Sequence, residues 1–563
     1  MRVSQAVVPS ARELPSARER ARPLTRLEDP LLGWLGCLAV FLLALFLRLW
    51  RLGSPRGFSF DETYYAKDAW SLLHFGYIKQ YAEGADAKLL AGHTTDQWLD
   101  QPSMAVHPEV GKWMIALGEK AFGMDPFGWR IAAAITGALM VLVMCRLVRR
   151  LTGSTMLGMI AGLLLCFDGM QLVLSRMGLL DIFLAFWILL AVHCVVADRD
   201  WMRLRVMAPA LDKPRGAGTW GPKLWWRPWL LAAGIAFGLA CGTKWTAIWP
   251  LAAFGVMAWL WSAGARRASG VRLAVLKSAL IDGIPAFLHL VVVALIVYLA
   301  SWSGWLMHAH QYEEHLSSTQ YHRYVAWAGE CDKQEMKGVK YDDDRVWATA
   351  KQKDAHGLGE VTQSLHSLWL YHQDVYRFHT KFLNCSTHSY ASDPGSWPLL
   401  GRPVSANVEN DIPRGEQGCL AATDSHCIRE VLILGTPALW WAGCLAFLYA
   451  VVAWLGRRDW RFGLVVVGVA STWLPWQLND SRPIFLFYAS AFLPFLVIAL
   501  TLVIGQLLGP GRGPSSRRTT GTIVAGTFVV LVLLNFAWFW PIWTNGLLTI
   551  SEWQSRIWFQ RWI

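Results

Sequence analysis

FSFDETYYAKDAW, Phe58–Trp70, follows directly on the first long apolar run of the chain and sets two carboxylates, Asp61 and Glu62, side by side. The run before it, near 32–52, is long enough to cross the roughly 30 Å hydrocarbon core of a bilayer. The acidic pair therefore lies close to the membrane surface. Phe58, Phe60, Tyr64 and Tyr65 flank it, so the carboxylates are only half wetted. Arg48, Arg51 and Arg56 precede it. A cation near the membrane on the side opposite to the usual Lys/Arg excess needs a partner or an anionic ligand.

Composition supports the membrane reading. Of 563 residues, 54% are hydrophobic and 16% charged, whereas soluble domains carry about 25% charged residues. The net charge of +12 does not call for a nucleic-acid partner, because Lys and Arg of membrane proteins collect in cytoplasmic loops. The 34 tryptophans suit membrane interfaces, where the ring is half wet. Residues 1–31 are Arg-rich and polar, without the apolar core of a signal peptide. They read as a disordered basic cytoplasmic tail before an uncleaved first span.

Eleven apolar runs are candidate spans: 32–52, 129–149, 155–172, 179–197, 229–242, 245–262, 278–303, 431–455, 462–477, 484–505 and 521–541. Basic clusters punctuate them at Arg146–Arg150, Arg199–Lys223, Arg266–Lys277, Arg457–Arg461 and Arg512–Arg518. With the N-terminus cytoplasmic, one topological frame puts every cluster inside. The C-terminus is then extracytoplasmic. The expected layout is a transmembrane core, 32–303, with its first outer loop at 53–128. A large outer loop, 304–430, follows, then C-terminal helices, 431–545, and an outer tail, 546–563. The loop 198–227 reads as a flexible connector. Six of ten cysteines lie in apolar runs. The others (Cys331, Cys385, Cys419 and Cys427) lie in the second outer loop, where two disulfides are permitted and Cys419–Cys427 would close a short loop.

Outside the acidic pair, two sets of residues could carry chemistry. One is VHPEVGKWMI, with His107, Glu109 and Lys112. The other is a set of charges at outer helix ends: Arg130, Asp168, Arg176, Asp181, Lys244, Asp480 and Arg482. Each alone is an ordinary snorkelling side chain; together they could ring one outer-leaflet cavity. Carboxylates and cations at that depth fit glycosyl transfer from a lipid-phosphate sugar. One carboxylate takes the acceptor proton, while Arg and Lys stabilise the phosphate leaving group. A membrane-embedded donor needs no nucleotide site, and the chain has no GxxxxGK[ST] loop. Asp198-Arg199-Asp200 imitates a metal–nucleotide DxD motif but falls in a basic inner loop and reads as solvated; Asp342–Asp344 reads as outer surface. No cofactor and no metal is expected. A transporter is the rival of another class, but transporters carry mid-membrane charges and repeats, and neither is evident.

FDETYYAKDAW, HPEVGK, FGWRIAAA, SRMGLLD and GTKWTAIW resemble the protein O-mannosyltransferases, GT-C-fold enzymes of glycosyltransferase family 39. SLWLYHQDVYRFHT, GSWPLLGRPVS and HCIREVLILGTPALWW are similar to its actinobacterial branch. The resemblance spans about residues 32–545. It implies an all-α polytopic GT-C fold in the cell membrane. It also implies transfer of mannose from a polyprenyl-phosphate mannose to Ser or Thr of secreted or translocating proteins, with inversion, on the extracytoplasmic face. The partners it implies are that donor lipid, the acceptor proteins and the bilayer, with protein-export machinery as a candidate source of acceptors. By position it makes Asp61 the base and Glu62 its orienting neighbour, with the reverse assignment open. Arg48 and Arg130 would face donor phosphate or support the acidic pair, and Lys244, Arg482 and His107 would bind donor. Lys112, Arg176 and Asp181 would support. The related alternative is a GT-C transferase using another lipid-phosphate sugar, or a lipid or glycan acceptor. Two departures stand out. Glu109 replaces the second proline of the family's HPP, and 329–357 is an unusually polar insertion. The soluble β-trefoil insert of eukaryotic members has no counterpart, since 304–430 is too short and lacks regular short strands.

Overall fold

The computed structural model describes residues 30–212, 220–316, 355–479, 482–509 and 515–563. The tail 1–29, Lys213, Arg215, Cys331, Asp342–Asp344, Asp480, Arg512 and most of the polar insertion lie outside them. In chain order the helices begin with α1, Pro30–Leu49, and α2, Glu62–Phe75. A hairpin follows, β1 Lys79–Tyr81 and β2 Trp98–Pro102, then α3, Val110–Phe122. The next helices are α4 Pro126–Thr152, α5 Thr155–Cys166, α6 Leu180–Asp212, α7 Pro228–Cys241, α8 Ile248–Ala268 and α9 Ala274–Ser301. The second outer segment carries α10 Leu358–Arg377, β3 Val404–Ile412 and β4 Cys427–Ile433. The chain ends with α11 Pro437–Arg457, α12 Trp460–Gln477, α13 Leu493–Leu508, α14 Ser516–Trp543 and β5 Leu547–Thr549.

Each of the eleven apolar runs contains helix, though not all are helical throughout. Among the described residues seven helices are long and apolar enough to cross a membrane: α1, α4, α6, α8, α9, α11 and α14; α5, α7 and α13 are shorter apolar helices. The helices start and stop where backbone chemistry requires. Asp125 accepts the Gly128 N–H at 2.7 Å and Pro126 fills the first turn of α4, while Gly153, at φ 71°, ends it. Gly158 and Gly162 let α5 lie directly on α4, since a Cβ on Gly162 would sit 2.1 Å from the Cys145 sulfur. The core helix is α6, 83% buried in its most apolar window, against 22% for α14 and 28% for α1. Lipid-facing Leu and Phe on peripheral helices need no further cover, because acyl tails are as apolar as they are.

The structure corrects several expectations. Run 155–172 breaks at Asp168, whose side chain caps the separate helix Gly169–Leu174. Run 431–455 opens as β4 and becomes helix only at Pro437, and run 484–505 opens as a 3-10 turn before α13. The inner connector begins later than expected because α6 continues through Asp212. Asp198 is buried, not solvated: its carboxylate pairs with Arg227, while Asp200 meets Arg150 and Arg199. The outer segments are not free of strands. β3, β4 and β5 form one antiparallel sheet, and the disulfide Cys419–Cys427 closes the β3–β4 connection, its Cα atoms 5.8 Å apart.

These contacts constrain the topology. β5 pairs with β4, so the C-terminal tail and the second outer segment share one side; the four helices α11–α14 between them are an even number. Tyr371 bonds both backbone groups of Ala105, and the Tyr312 hydroxyl accepts from the Ile78 N–H. The first and second outer segments therefore also share that side, six apolar helices (α4–α9) apart.

Candidate active site

The turn before α2 is built around Glu62. Its side chain is fully buried and its two oxygens accept four hydrogen bonds. Arg130 Nε and Nη2 donate at 2.7 and 2.6 Å, and the backbone N–H groups of Gly178 and Ser59 donate at 2.8 Å each. A carboxylate has about four acceptor positions, so Glu62 has none left over. Arg130 spends its remaining donors on the carbonyls of Leu52, Pro55 and Gly57. The pair thus ties together the end of the first span, the start of α4 and the SRMG turn.

Asp61 is the opposite case. It occupies the N-cap position of α2 yet makes no capping bond with its side chain, although Asp there commonly does. Among the described residues its carboxylate holds no hydrogen bond or ion pair. Phe60, one residue earlier, sits in the left-handed region at φ 52°. That is a strained geometry for a bulky side chain. Ring contacts with Phe485 and Phe487, at 5.6 and 5.8 Å, hold it there and so aim Asp61. Burial pushes the Asp61 carboxyl up to about 6; Lys244 pulls it back down and Asp181 pushes it further up.

Those two neighbours line a cavity of about 320 Å³. Lys244 Nζ bridges both Asp181 oxygens at 2.9 and 2.8 Å and lies 5.0 Å from the Tyr488 ring centre. His107, His379, Tyr376, Trp476 and Arg482 complete the polar end. Arg482 donates to His379 Nδ1 at 2.9 Å, and His379 Nε2 meets the Val106 carbonyl at 3.2 Å. These partners fix His379 as neutral with its proton on Nε2. Burial and Arg482 hold it down at about 4. The His107 ring stacks on His379 at 5.4 Å and is likewise held well below its ordinary value by burial and the surrounding cations. The lining also includes the apolar side chains Leu184, Ile188, Ile248 and Trp249. Ile248 and Trp249 also face outward and are half-exposed, so the cavity opens toward the lipid.

The charges at helix ends therefore do not form one ring. Asp181, Lys244, Arg482 and His107 line the cavity. Arg48 is buried between helices on the Ala44 carbonyl and the Gln171 side chain. Arg176 donates to the carbonyls of Leu47, Arg48, Trp50 and Arg51 and so closes the C-terminal end of α1, where a cation is favoured. Asp168 accepts from the Thr436 N–H and the Trp440 indole. Lys112 pairs with Asp68 at 2.9 Å and bonds the His107 carbonyl, fixing that loop. Sequence reading missed His379, Tyr376, Trp476 and Tyr488. A signal existed for the first: His372 and His379 recur seven residues apart on one helical face.

This arrangement fits a polytopic membrane glycosyl transferase: an unpaired carboxylate within electrostatic reach of the Lys244–Asp181 pair that lines a cationic cavity. The chain belongs to the dolichyl-phosphate-mannose-protein mannosyltransferase family. That family's model matches residues 38–308, and the model of the C-terminal four-transmembrane region of protein-O-mannosyltransferase matches 364–562. The polyprenol-phosphate-mannose–protein mannosyltransferase of Mycobacterium tuberculosis is 33% identical over 95% of this chain and 92% of its own. That of Corynebacterium glutamicum is 30% identical over 89% and 88%. The S. cerevisiae protein O-mannosyltransferase Pmt1-Pmt2 complex bound to the sugar donor shares the fold. Its TM-score is 0.66 at 15% identity, covering 98% of this chain and 94% of that one.

Proposed function

We propose that the chain transfers mannose from polyprenyl-phosphate mannose to Ser or Thr hydroxyls of secreted proteins, at the outer face of the cell membrane and with inversion. The relatives named above support that donor and acceptor class. The observation that carries the catalytic assignment is the contrast between neighbours: Glu62 is saturated and Asp61 is unpaired.

In this reading Asp61 takes the proton of the acceptor hydroxyl as its oxygen bonds to the anomeric carbon. The bond from that carbon to the phosphate oxygen breaks, and polyprenyl phosphate leaves. A base with its pKa close to the working pH is both ionised and basic enough to act. Lys244 and Arg482 receive the phosphate charge, and the apolar mouth at Ile188, Ile248 and Trp249 takes the first prenyl units. Glu62, with Arg130, positions the base instead of reacting. His107 and Lys112 hold the roof of the cavity. The Lys/Arg clusters at the opposite helix ends support an extracytoplasmic site, which export machinery could feed with unfolded acceptors.

Transfer of labelled mannose tests this. Purified chain receives polyprenyl-phosphate mannose with either a Ser/Thr-rich peptide or a lipid or glycan acceptor. Label on the peptide, released by base-catalysed elimination, supports the reading. Label on the lipid or glycan alone overturns the protein-acceptor assignment.

A further inference from the structure

At the opposite end of the helices from Asp61, the turn between α8 and α9 forms an open surface cavity of about 710 Å³, lined by residues 271–277 and Arg267. Its charged lining is Arg267, Arg272 and Lys277, and no carboxylate lines it. The adjacent Arg266 is neutralised: it turns inward onto Asp282 and the carbonyls of Trp220 and Pro222. Arg267 and Arg272 have no ion pair among the described residues, and both are exposed. Lys277 stands 5.5 Å from the Trp220 ring centre.

The rim of this basic cavity is apolar. Leu273 is 69% exposed and held at φ 53°, and Leu276 is 65% exposed. Leu280, Ile284, Phe287 and Leu288 continue the same exposed stripe along α9. A soluble anion has no use for that stripe, whereas an acyl chain does. We propose that this cavity binds the headgroup phosphate of an anionic glycerophospholipid of the inner leaflet, its acyl chains lying along α9. Arg267 and Arg272 hold the phosphate, and Leu273 and Leu276 mark where headgroup meets hydrocarbon. Basic pockets between helices on the cytoplasmic side suit such lipids.

The test uses the full chain in nanodiscs of phosphatidylcholine with a minor fraction of phosphatidylglycerol. Lipid retained on the protein is then counted by native mass spectrometry. Wild type is expected to keep about one phosphatidylglycerol, while Arg267→Ala/Arg272→Ala keeps it about twenty-five-fold less, at roughly a factor of five per surface cation. Arg267→Lys/Arg272→Lys is expected to retain most of it, which separates lost charge from lost fold. An equal loss in Arg457→Ala/Arg458→Ala, on the same side of the membrane, reduces the effect to diffuse attraction and overturns the proposal. So does displacement of the lipid by millimolar inorganic phosphate, which assigns the cavity to a soluble anion.

Discussion

The Glu62 carboxylate and the Arg130 guanidinium meet in a two-point pair, 2.7 and 2.6 Å, with both side chains fully buried. Glu62 thereby has its acceptor positions filled, and the proposed mechanism leaves the chemistry to its neighbour. Breaking a buried pair by removing one partner costs about 3–5 kcal/mol, because the other charge stays buried and uncompensated. Glu62→Ala should therefore lower the melting temperature markedly and lower activity with it. Thermal unfolding in nanodiscs checks this.

Asp61→Asn should do the reverse. A carboxyl whose pKa is raised in the folded state makes folding less favourable once the pH passes its unfolded value. The cost of burial outweighs the attraction of Lys244, so removing the charge relieves more than it loses. The variant should melt at or above the wild-type temperature at pH 7, measured in the same nanodiscs.

The rate should carry the signature of that carboxyl. If Asp61 must be ionised, kcat/KM falls as the pH drops through about 6. Lys244 lowers this value and Asp181 raises it. In Lys244→Met the acid limb should move up, and in Asp181→Asn it should move down. His107 and His379 stay neutral across this range, so neither adds a limb of its own. A pH series of initial rates reads all three.

Glu109 makes a prediction about stability alone. Burial pushes its carboxyl up to about 8, with Lys112 only partly offsetting this. The folded state holds the proton while the unfolded chain releases it near 4.5, so stability declines as pH rises from about 4.5 to 8. Glu109→Gln should flatten that decline and stabilise the fold at pH 7 by about 3 kcal/mol, read as a higher melting temperature.

Much of this was legible in the sequence, for physical reasons that also mark the limits. Spans showed because hydrocarbon demands long apolar runs, and the acidic pair showed because charges at that depth are costly. The sheet did not: β4 finds its partner β5 across more than a hundred residues, and short strands carry little local signal. The charges Arg130, Arg176 and Asp168 were visible as unusual, but each also bonds backbone groups of turns distant in the chain. Only folding distinguishes a charge that closes a helix from one that lines a cavity. Glu62 and Asp61 look alike in sequence for the same reason.

The central claim is that Asp61, not Glu62, is the base. Mannose transfer to a Ser/Thr-rich peptide by Asp61→Asn, beside wild type and at matched folded protein, tests it most directly. The expected loss is at least roughly 100-fold in kcat, as for removal of a general base, with donor KM little changed and the melting temperature not lowered. Activity within a few-fold of wild type in folded Asp61→Asn would contradict the account and move the base elsewhere.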